Sequence, residues 1–143
     1  MTVSNPGGHP PLDPALVDIA VAFFEAVSQG DMDAVRDMYS PEVLVWHNFD
    51  RKWQSREENL QLLSWVSKNW VNFRFEDVRR QAIAGGFLQQ HTMRGEDTDG
   101  VPFDSPSILL VWVDERMLIT RVQEYFESGQ VPLPTGLPED EVA

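Results

Sequence analysis

Apolar residues at helical spacing predict two helices at the start of the chain. Asp13-Pro14 provides a capping acceptor followed by a proline at the first helical position, and Gly30 provides a stop. Between these residues the apolar positions that share one helical face are Leu16, Ile19, Ala20, Phe23 and Val27. Asp31 caps a second, shorter helix, which ends at Ser40-Pro41 because the residue before a proline avoids the helical region.

The pattern then changes to strands, with one further helix among them. Residues 43–47 form an apolar, β-branched strand, and the capping box Ser55-Arg56-Glu57-Glu58 opens a third helix after a polar connection. From Val71 onward apolar and polar residues alternate, which predicts a strand with one buried face. Three more strands are predicted at 87–94, 101–113 and 117–126. Pro106 interrupts the second of these, which predicts a bulge, a strand edge or a bend.

This order of elements predicts an α+β fold. Three N-terminal helices precede a meander of four strands, so we expect the helices to pack on the concave side of a strongly curved, mostly antiparallel sheet. Residues 13–130 form the predicted domain. Residues 1–12 are rich in Pro and Gly, and residues 131–143 in Pro, Gly and acidic residues, so both are predicted to be flexible tails.

Composition is typical of one globular domain without a metal site. The chain has 143 residues, and the 42% that are apolar are enough for an ordinary core. It has no cysteine, which excludes disulfides and thiolate ligands, and three histidines leave little for a histidine-based metal site. We expect neither a metal nor a cofactor. Without a signal-peptide pattern or an apolar stretch of about 20 residues, the expected location is cytoplasmic.

The charge of the chain argues against two classes of partner. Acidic residues number 23 and basic residues 11, which gives a net charge of -12 at pH 7. Such a chain repels phosphate backbones and anionic lipid surfaces, and its basic residues are scattered rather than clustered. We therefore expect no nucleic-acid partner and no membrane partner.

The first predicted strand ends in a cluster of reactive side chains. His47, Asn48 and Asp50 bring an imidazole, a carboxamide and a carboxylate within four residues of one another. These side chains either form part of a site or only complete a buried strand end and its turn. His47 lies on one strand face, and Trp46 and Asn48 on the other. Because both faces are apolar, periodicity does not show which face is inside.

Two more candidates lie in the later strands. His91 stands in an unusually polar run with Gln89, Gln90 and Thr92. This run is either an outer, solvated face or the wall of a cavity lined with hydrogen-bonding groups. Glu124 precedes an aromatic pair near the end of the last strand and is the candidate acid.

Three short motifs are similar to those of a known superfamily. They are Gln29-Gly30-Asp31, Tyr39-Ser40-Pro41-Glu42-Val43 and Glu124-Tyr125-Phe126. With the order of elements, they make residues 13–130 resemble the nuclear transport factor 2-like (NTF2-like) superfamily, in its SnoaL-like branch. The resemblance implies a cone-shaped fold with a pocket for a small hydrophobic molecule, and a homodimer formed through the convex side of the sheet. Members include ketosteroid isomerases, epoxide hydrolases, polyketide cyclases and non-catalytic binders, so the fold does not define the chemistry.

The catalytic residues of two such enzyme groups transfer only in part. Against ketosteroid isomerases, His47 falls at the position of the base and Phe23 at that of the oxyanion-binding tyrosine. The position of the oxyanion-binding acid falls near Ile108. The loss of both oxyanion donors argues against steroid isomerisation. Against epoxide hydrolases, Trp46-His47-Asn48 and Glu124 match, whereas the Arg-x-Asp pair falls on His91-Thr92-Met93 and is lost.

Two functional hypotheses follow. The first is cofactor-independent acid–base chemistry, of isomerase, cyclase, hydrolase or dehydratase type, on a small polycyclic or terpenoid-like molecule. His47 or His91 would then be the base. Glu124 would be the acid or water activator, with Asn48 as the orienting residue. The second hypothesis is a ligand-binding or assembly module without turnover. Under both, the residues predicted to contact the ligand are Trp46, Phe23, Tyr39 and Phe126.

Overall fold

The computed structural model describes residues 11–134, which form three α-helices, one turn of 3₁₀ helix (Ser128–Gln130) and a six-stranded sheet. The helices are α1 (Pro14–Gln29), α2 (Met32–Met38) and α3 (Arg56–Asn69). The strands are β1 (Tyr39–His47), β2 (Trp53–Gln54), β3 (Val71–Ile83), β4 (Gly86–Glu96), β5 (Pro102–Val113) and β6 (Ile119–Phe126). The predicted α+β class is confirmed. None of the helices in the described part is long and apolar enough to cross a membrane.

The predicted helix caps are present. Asp13 Oδ1 accepts the N–H of Ala15 at 2.8 Å, and Gly30 ends α1 with a left-handed φ of 71°. Ser55 Oγ accepts the N–H of Glu58, whose carboxylate accepts the N–H of Ser55 in return. These contacts satisfy N–H groups that have no partner inside a helix. Local sequence signals therefore determine where the helices begin and end.

The strands lie in the order β2-β1-β6-β5-β4-β3. β3 to β6 form an antiparallel meander, as predicted, whereas β1 runs parallel to β6. The sequence predicts only a polar connection after β1, but Trp53 and Gln54 pair with Trp46 and Val45 as a short edge strand. Two residues are too few to show a strand period, so the pattern does not reveal β2.

Pro106 lies in a continuous strand. β5 pairs with β4 without a register shift, and Pro106 stands opposite Thr92. Pairing with β6 begins only at Ser107, so at Pro106 the strand has a partner on one side only. Of the alternatives that the sequence leaves open, the structure therefore shows an edge position, where proline is tolerated.

The β5–β6 hairpin has no glycine and uses Met117 instead. Met117 takes the left-handed conformation, with a φ of 65°. Asp114 holds the turn, because its Oδ1 accepts the N–H groups of Arg116 and Leu118 at 2.8 and 3.0 Å. The turn is therefore stabilised by the side chain of Asp114 and does not contain the glycine that usually marks such a turn in a sequence.

The helices pack on one face of the sheet, which we call the inner face. On this face the ring of Phe24 in α1 packs edge-on against Phe75 in β3, with 5.0 Å between ring centroids. The buried apolar cluster between α1 and the sheet includes Ala20, Phe23, Val27, Val45, Phe87, Leu109, Val111 and Val122. This cluster surrounds the candidate site.

The packed part of the chain continues past residue 130. Val131 is buried, Leu133 packs on the apolar cluster around Trp70, and the indole Nε1–H of Trp70 donates to the carbonyl of Pro132 at 2.8 Å. The predicted C-terminal tail therefore begins with packed residues. Residues 1–10 and 135–143, which make up most of both predicted tails, lie outside the described residues.

Gly86 is the site of a close approach between β4 and β5. A Cβ there would lie 1.8 Å from the carbonyl oxygen of Val111, a backbone atom of a paired strand. We expect Gly86→Ala to lower the free energy of unfolding in urea by about 1–3 kcal/mol or more, because the strands must separate locally. Gly129→Ala is the control, since a Cβ there meets nothing within 4 Å. Equal losses in both variants would contradict the close approach.

Candidate active site

Strand register brings separated residues into one row on the inner face. His47 in β1 pairs with Glu124 in β6, and Glu124 pairs with Leu109 in β5. Leu109 in turn pairs with Gln89 in β4. Directly paired residues of neighbouring strands point to the same face of a sheet. The question that periodicity leaves open is therefore answered: His47 faces inward.

His47 and Glu124 are in contact at the centre of this row. Nε2 of His47 lies 3.3 Å from Oε1 of Glu124, and only 8% and 12% of the two side chains are exposed. The hydroxyl of Ser107 donates to Oε2 of Glu124 at 2.9 Å. Each carboxylate oxygen thus has a partner, and His47 must carry a proton on Nε2 to donate.

Glu124 is held as a carboxylate by these partners. Burial raises the pKa of a carboxyl group, because it disfavours the charged form. Here the hydrogen bond of His47, and its charge when the ring is protonated, act against burial, together with His91 and the hydrogen bond of Ser107, and the pKa of Glu124 is lowered from its ordinary value. The inner face therefore keeps a negative charge in a nearly buried position.

The other ring nitrogen of His47 is unused. Nδ1 is buried and has no hydrogen-bond partner among the described residues. The rings of Phe49 and Phe126 lie 5.5 and 6.4 Å from the imidazole, measured between centroids. With one proton on Nε2, the neutral imidazole has its lone pair on Nδ1. That nitrogen can take a proton from a bound molecule.

A cavity of about 70 Å³ lies against this pair. The predicted catalytic residues His47 and Glu124 line it, as do three of the predicted ligand contacts, Phe23, Tyr39 and Phe126. Most of the other wall residues are aromatic or aliphatic side chains of α1, α3 and the sheet. Within residues 11–134 no three His, Asp or Glu side chains are grouped so as to hold a metal ion.

Tyr39 belongs to a second hydrogen-bonded set on the cavity wall. Its hydroxyl donates to Oδ1 of Asn59 at 2.7 Å, and Nδ2 of Asn59 donates to Oε1 of Gln54 at 3.0 Å. Burial and the charge of Glu124 raise the pKa of Tyr39, so the phenol stays protonated. Its proton is directed to Asn59 and not into the cavity.

His91 is buried behind the cavity wall and is not one of the lining residues. Its ring packs edge-on against Phe24 and Phe75, at centroid distances of 5.4 and 4.7 Å, and both phenyl rings line the cavity. Burial lowers the pKa of His91 to about 4 although the charge of Glu124 acts to raise it. His91 is therefore a neutral imidazole near pH 7.

Asn48 lies at the end of the β1–β6 pairing and outside the cavity. Its Nδ2 donates to the carbonyl of Phe126 at 2.9 Å, and its Oδ1 accepts the N–H of Phe126 at 3.1 Å. The carboxamide thus makes the two hydrogen bonds that the backbone of one more paired strand residue would make. Both polar atoms of the predicted orienting residue are thus engaged by backbone.

Trp46, predicted to contact the ligand, lies on the outer face of the sheet. It packs there against Trp53 and Tyr125, at centroid distances of 6.5 and 5.1 Å. Successive strand residues point to opposite faces, so Trp46 cannot share the inner face with His47. The structure places it away from the cavity.

Ser107 and Asn59 take part in the site, although the sequence does not single them out. Ser107 is buried in alternation with Leu109 in β5, and Asn59 is buried on the same face of α3 as Leu62 and Val66. A polar residue inside an apolar period is the signal that marks both. The signal is weak, because a polar residue is also expected wherever that face of the strand or helix is exposed to solvent.

A family model for the SnoaL-like domain matches residues 20–122. The chain belongs to the SnoaL-like domain family. The match runs from α1 into β6 and confirms the resemblance seen in the sequence. No functionally curated protein matches this SnoaL-like chain.

Solved structures of similar fold cover most of this SnoaL-like chain. A hypothetical protein with a ketosteroid isomerase-like fold from Catenulispora acidiphila, in complex with trimethylamine, is 17% identical, with a TM-score of 0.71 over 86% of this chain and 95% of that one. A candidate SnoaL-like polyketide cyclase from Shewanella denitrificans is 10% identical, with a TM-score of 0.70 over 82% and 94%. AusH from Aspergillus nidulans is 15% identical, with a TM-score of 0.71 over 83% and 88%. Likeness at these identities shows the fold alone.

The buried, neutral state of His91 makes the stability of this SnoaL-like protein depend on pH. An unfolded histidine takes up its proton near pH 6.5, whereas His91 in the folded state does so at a pH of about 4. Between these values the unfolded chain binds more protons, so the free energy of unfolding falls as the pH decreases through this window.

We expect this residue to account for a loss of about 3 kcal/mol between pH 6.5 and 4. Urea denaturation of the wild type and of His91→Gln at several pH values measures it. The variant should lose that much less stability on acidification. The same pH dependence in both proteins would mean that His91 is not kept neutral by burial.

Proposed function

We propose that this protein catalyses a cofactor-independent proton transfer on a small hydrophobic molecule, with His47 as the base. One observation carries the proposal: Nε2 of His47 lies 3.3 Å from Glu124 at the wall of a mostly apolar cavity. A histidine oriented by a carboxylate, with its second ring nitrogen unpartnered, is suited to general acid–base catalysis. Reactions of isomerase, cyclase, hydrolase or dehydratase type all need such a transfer.

The two side chains take different parts in this step. Nδ1 of His47 accepts a proton from a carbon acid or a water molecule, and the carboxylate of Glu124 stabilises the imidazolium through Nε2–H. The proton then returns to another atom of the ligand. Both oxygens of Glu124 are engaged, by His47 and Ser107, and its pKa is lowered, which supports a role as partner rather than as base.

The cavity supports a compact, apolar ligand. Its volume of about 70 Å³ is small beside the roughly 300–1,000 Å³ of pockets for drug-sized molecules. A polycyclic or terpenoid-like molecule, as predicted from the sequence, requires the aromatic wall residues to move. The trimethylamine held by a protein of similar fold, and the naming of another as a candidate polyketide cyclase, support small molecules as ligands.

The shape of the sheet bears on access to the cavity. β3 has register shifts against β4 at two places, and Asn72 and Asp77, with φ values of 55° and 58°, lie within them. Such bulges bend a strand and increase its twist. They support the strongly curved, cone-shaped sheet predicted from the sequence, in which a ligand enters at the open end.

The first experiment is a substrate screen with the wild-type protein in D₂O. Small ketones, terpenoid epoxides, aromatic polyketides and steroids are incubated with the protein and followed by native mass spectrometry and ultraviolet absorbance. We expect at least one compound to gain deuterium, gain or lose water, or change its absorbance. Retention of a compound with none of these changes across the panel would instead indicate a ligand-binding module.

Variants then test the two roles on the compound that is converted. His47→Gln and Glu124→Gln should each lower kcat by about 10²–10⁴-fold, because a general acid–base group contributes that much. Glu115→Gln is the matched control, since this carboxylate is exposed in the β5–β6 hairpin, and its kcat should be unchanged. Circular dichroism checks that each variant is folded. Unchanged kcat in both site variants would rule out the assigned roles.

We also propose a homodimer that forms through the outer face of the sheet. Leu44, Trp53 and Tyr125 are 47%, 42% and 44% exposed, and Trp46 packs against the latter two. The guanidinium of Arg121 lies 4.8 Å from the centroid of the Trp53 ring, so one positive charge borders these aromatic side chains. Clustered apolar side chains on a surface are typical of protein–protein contacts.

Sedimentation velocity at micromolar concentration tests the dimer. Leu44→Arg should convert dimer to monomer, because Leu44 pairs with Arg121 across β1 and β6, and a second positive charge beside Arg121 would be buried without a partner. Val101→Arg is the control: Val101 is 57% exposed in the loop before β5, and this variant should remain dimeric. A monomeric wild type, or a Leu44→Arg variant that stays dimeric, would contradict the proposed interface.

A further inference from the structure

Three hydrogen-bonding side chains form a line from β3 into β4 on the inner face of the sheet. Nε of Arg80 donates to Oε1 of Gln89 at 2.7 Å, and Nε2 of Gln89 lies 2.9 Å from Nδ1 of His91. Gln89 has no exposed surface, and His91 is 1% exposed. The proton transfer proposed above for His47 and Glu124 gives this line no role.

The orientation of the Gln89 carboxamide follows from Arg80. A guanidinium donates hydrogen bonds and accepts none, so the oxygen of the carboxamide must face Arg80. The nitrogen of the carboxamide then faces His91 and donates to Nδ1. An Nδ1 that accepts a hydrogen bond carries no proton, so the proton of neutral His91 is on Nε2. A proton added at Nδ1 would meet the N–H of Gln89, which opposes ionisation.

The Nε2–H group of His91 is left to find an acceptor. Nε2 is buried, and it has no hydrogen-bond partner within the described part of the chain. A buried donor without an acceptor is unfavourable, and an acceptor atom of a bound molecule would remove that cost. This observation marks His91 as a point where a ligand gains an interaction.

His91 stands on the same side of the sheet as the proposed base. It pairs directly with Ser107, whose hydroxyl donates to Glu124 at 2.9 Å. Phe24 and Phe75, whose rings pack edge-on against His91, both line the cavity. His91 is therefore one side chain behind the wall, and a ligand that separates the two rings reaches it.

We propose that Arg80 and Gln89 are positioning residues that fix His91 with its proton on Nε2, and that this N–H donates to an acceptor oxygen of the ligand. The inference rests on the proposed function, in that the same ligand exchanges its proton with His47. It names the substrate class as compact hydrophobic molecules that carry a carbonyl oxygen beside the carbon that is deprotonated. His91 is then a hydrogen-bond donor and not a base.

His47 and His91 together account for the proton and the electron pairs that move in this transfer. Nδ1 of His47 takes the proton of the carbon next to the carbonyl, the C–H electron pair forms the new carbon–carbon double bond, and the carbonyl π pair moves to oxygen. The oxygen, now an enolate, accepts from Nε2–H of His91. Return of the proton from His47 to the same carbon re-forms the carbonyl, and it exchanges the hydrogen or inverts the configuration at that carbon. A neutral donor is suited to this step, because it stabilises developing negative charge without a buried cation of its own.

Nitrogen-15 NMR of the histidine rings tests the tautomer in the full-length protein. At pH 7 we expect the wild type to show His91 as a neutral ring with a protonated Nε2 and an unprotonated Nδ1, assigned by comparison with His91→Gln. A protonated Nδ1, or an imidazolium, in the wild type would overturn the proposal. This measurement needs no variant of the positioning residues and no substrate.

Gln89→Glu tests the cause of the tautomer. A carboxylate at this position can accept from Arg80 and also from His91, so the His91 proton should move to Nδ1, or the ring should become charged. Gln90→Glu is the matched control, because it adds the same charge one residue along, on the opposite face of β4, and it should leave the His91 signals in place. An unchanged His91 tautomer in Gln89→Glu would show that Gln89 does not set it.

Ligand recognition is tested with cyclopentanone and methylenecyclopentane, two molecules of nearly the same shape that differ in the acceptor oxygen. Cyclopentanone at saturating concentration should shift the Nε2–H resonance of His91 in the wild type. Methylenecyclopentane should leave it unshifted. No shift with the ketone, or equal shifts with both compounds, would overturn the role of His91 as a donor.

The two proposals fail in different measurements. Loss of the ketone-specific shift, with catalysis still dependent on His47, would remove only the role of His91. A ketone-specific shift without deuterium exchange or turnover for any compound would remove the catalytic function, while His91 would remain a recognition residue.

Discussion

The parallel pairing of β1 with β6 is the constraint on which the candidate site depends. It places His47, near the start of the fold, directly beside Glu124 in the last strand. A carboxylate in a nearly buried position is costly unless it is paired and hydrogen-bonded, and this register supplies His47 on one side while the β5–β6 register brings Ser107 within reach. A slip of one residue would turn His47 to the outer face. The carboxamide of Asn48 forms hydrogen bonds with the backbone N–H and carbonyl of Phe126, and these stabilise the end of the β1–β6 pairing.

The inner face combines an apolar wall with a few polar side chains, and each of these is positioned by contacts with neighbouring polar side chains. Tyr39 is satisfied through Asn59, and His91 is oriented through Gln89. Two ring nitrogens, one on His47 and one on His91, are left without partners among the described residues. In a low-dielectric environment a polar group without a partner interacts strongly with whatever is bound there. The polar network therefore leaves the two imidazoles in different hydrogen-bonding states, because the proposed tautomers present a lone pair on His47 and an N–H on His91.

The two faces of β1 have separate uses. The inner face presents Val45 and His47 to the core and cavity, and the outer face presents Leu44 and Trp46 beside other exposed aromatic residues. Both faces of this strand are apolar, so the alternation that usually distinguishes inside from outside is lost. The helices decide which side is the core: α1 packs on the side that carries His47 and Glu124, with Phe23 and Phe24 at the cavity.

Local features are what the sequence by itself determined: the three helix starts, the alternation in the meander, the α+β class and the family resemblance. Capping at Asp13 and Ser55 acts within a few residues, and so its signal is readable along the chain. His47 and Glu124 were also recognisable as reactive candidates. Their contact, the burial of His91 and the outward position of Trp46 were decided only by tertiary structure. These depend on strand order and register between distant segments, and no periodicity within one strand encodes which partner will stand opposite it.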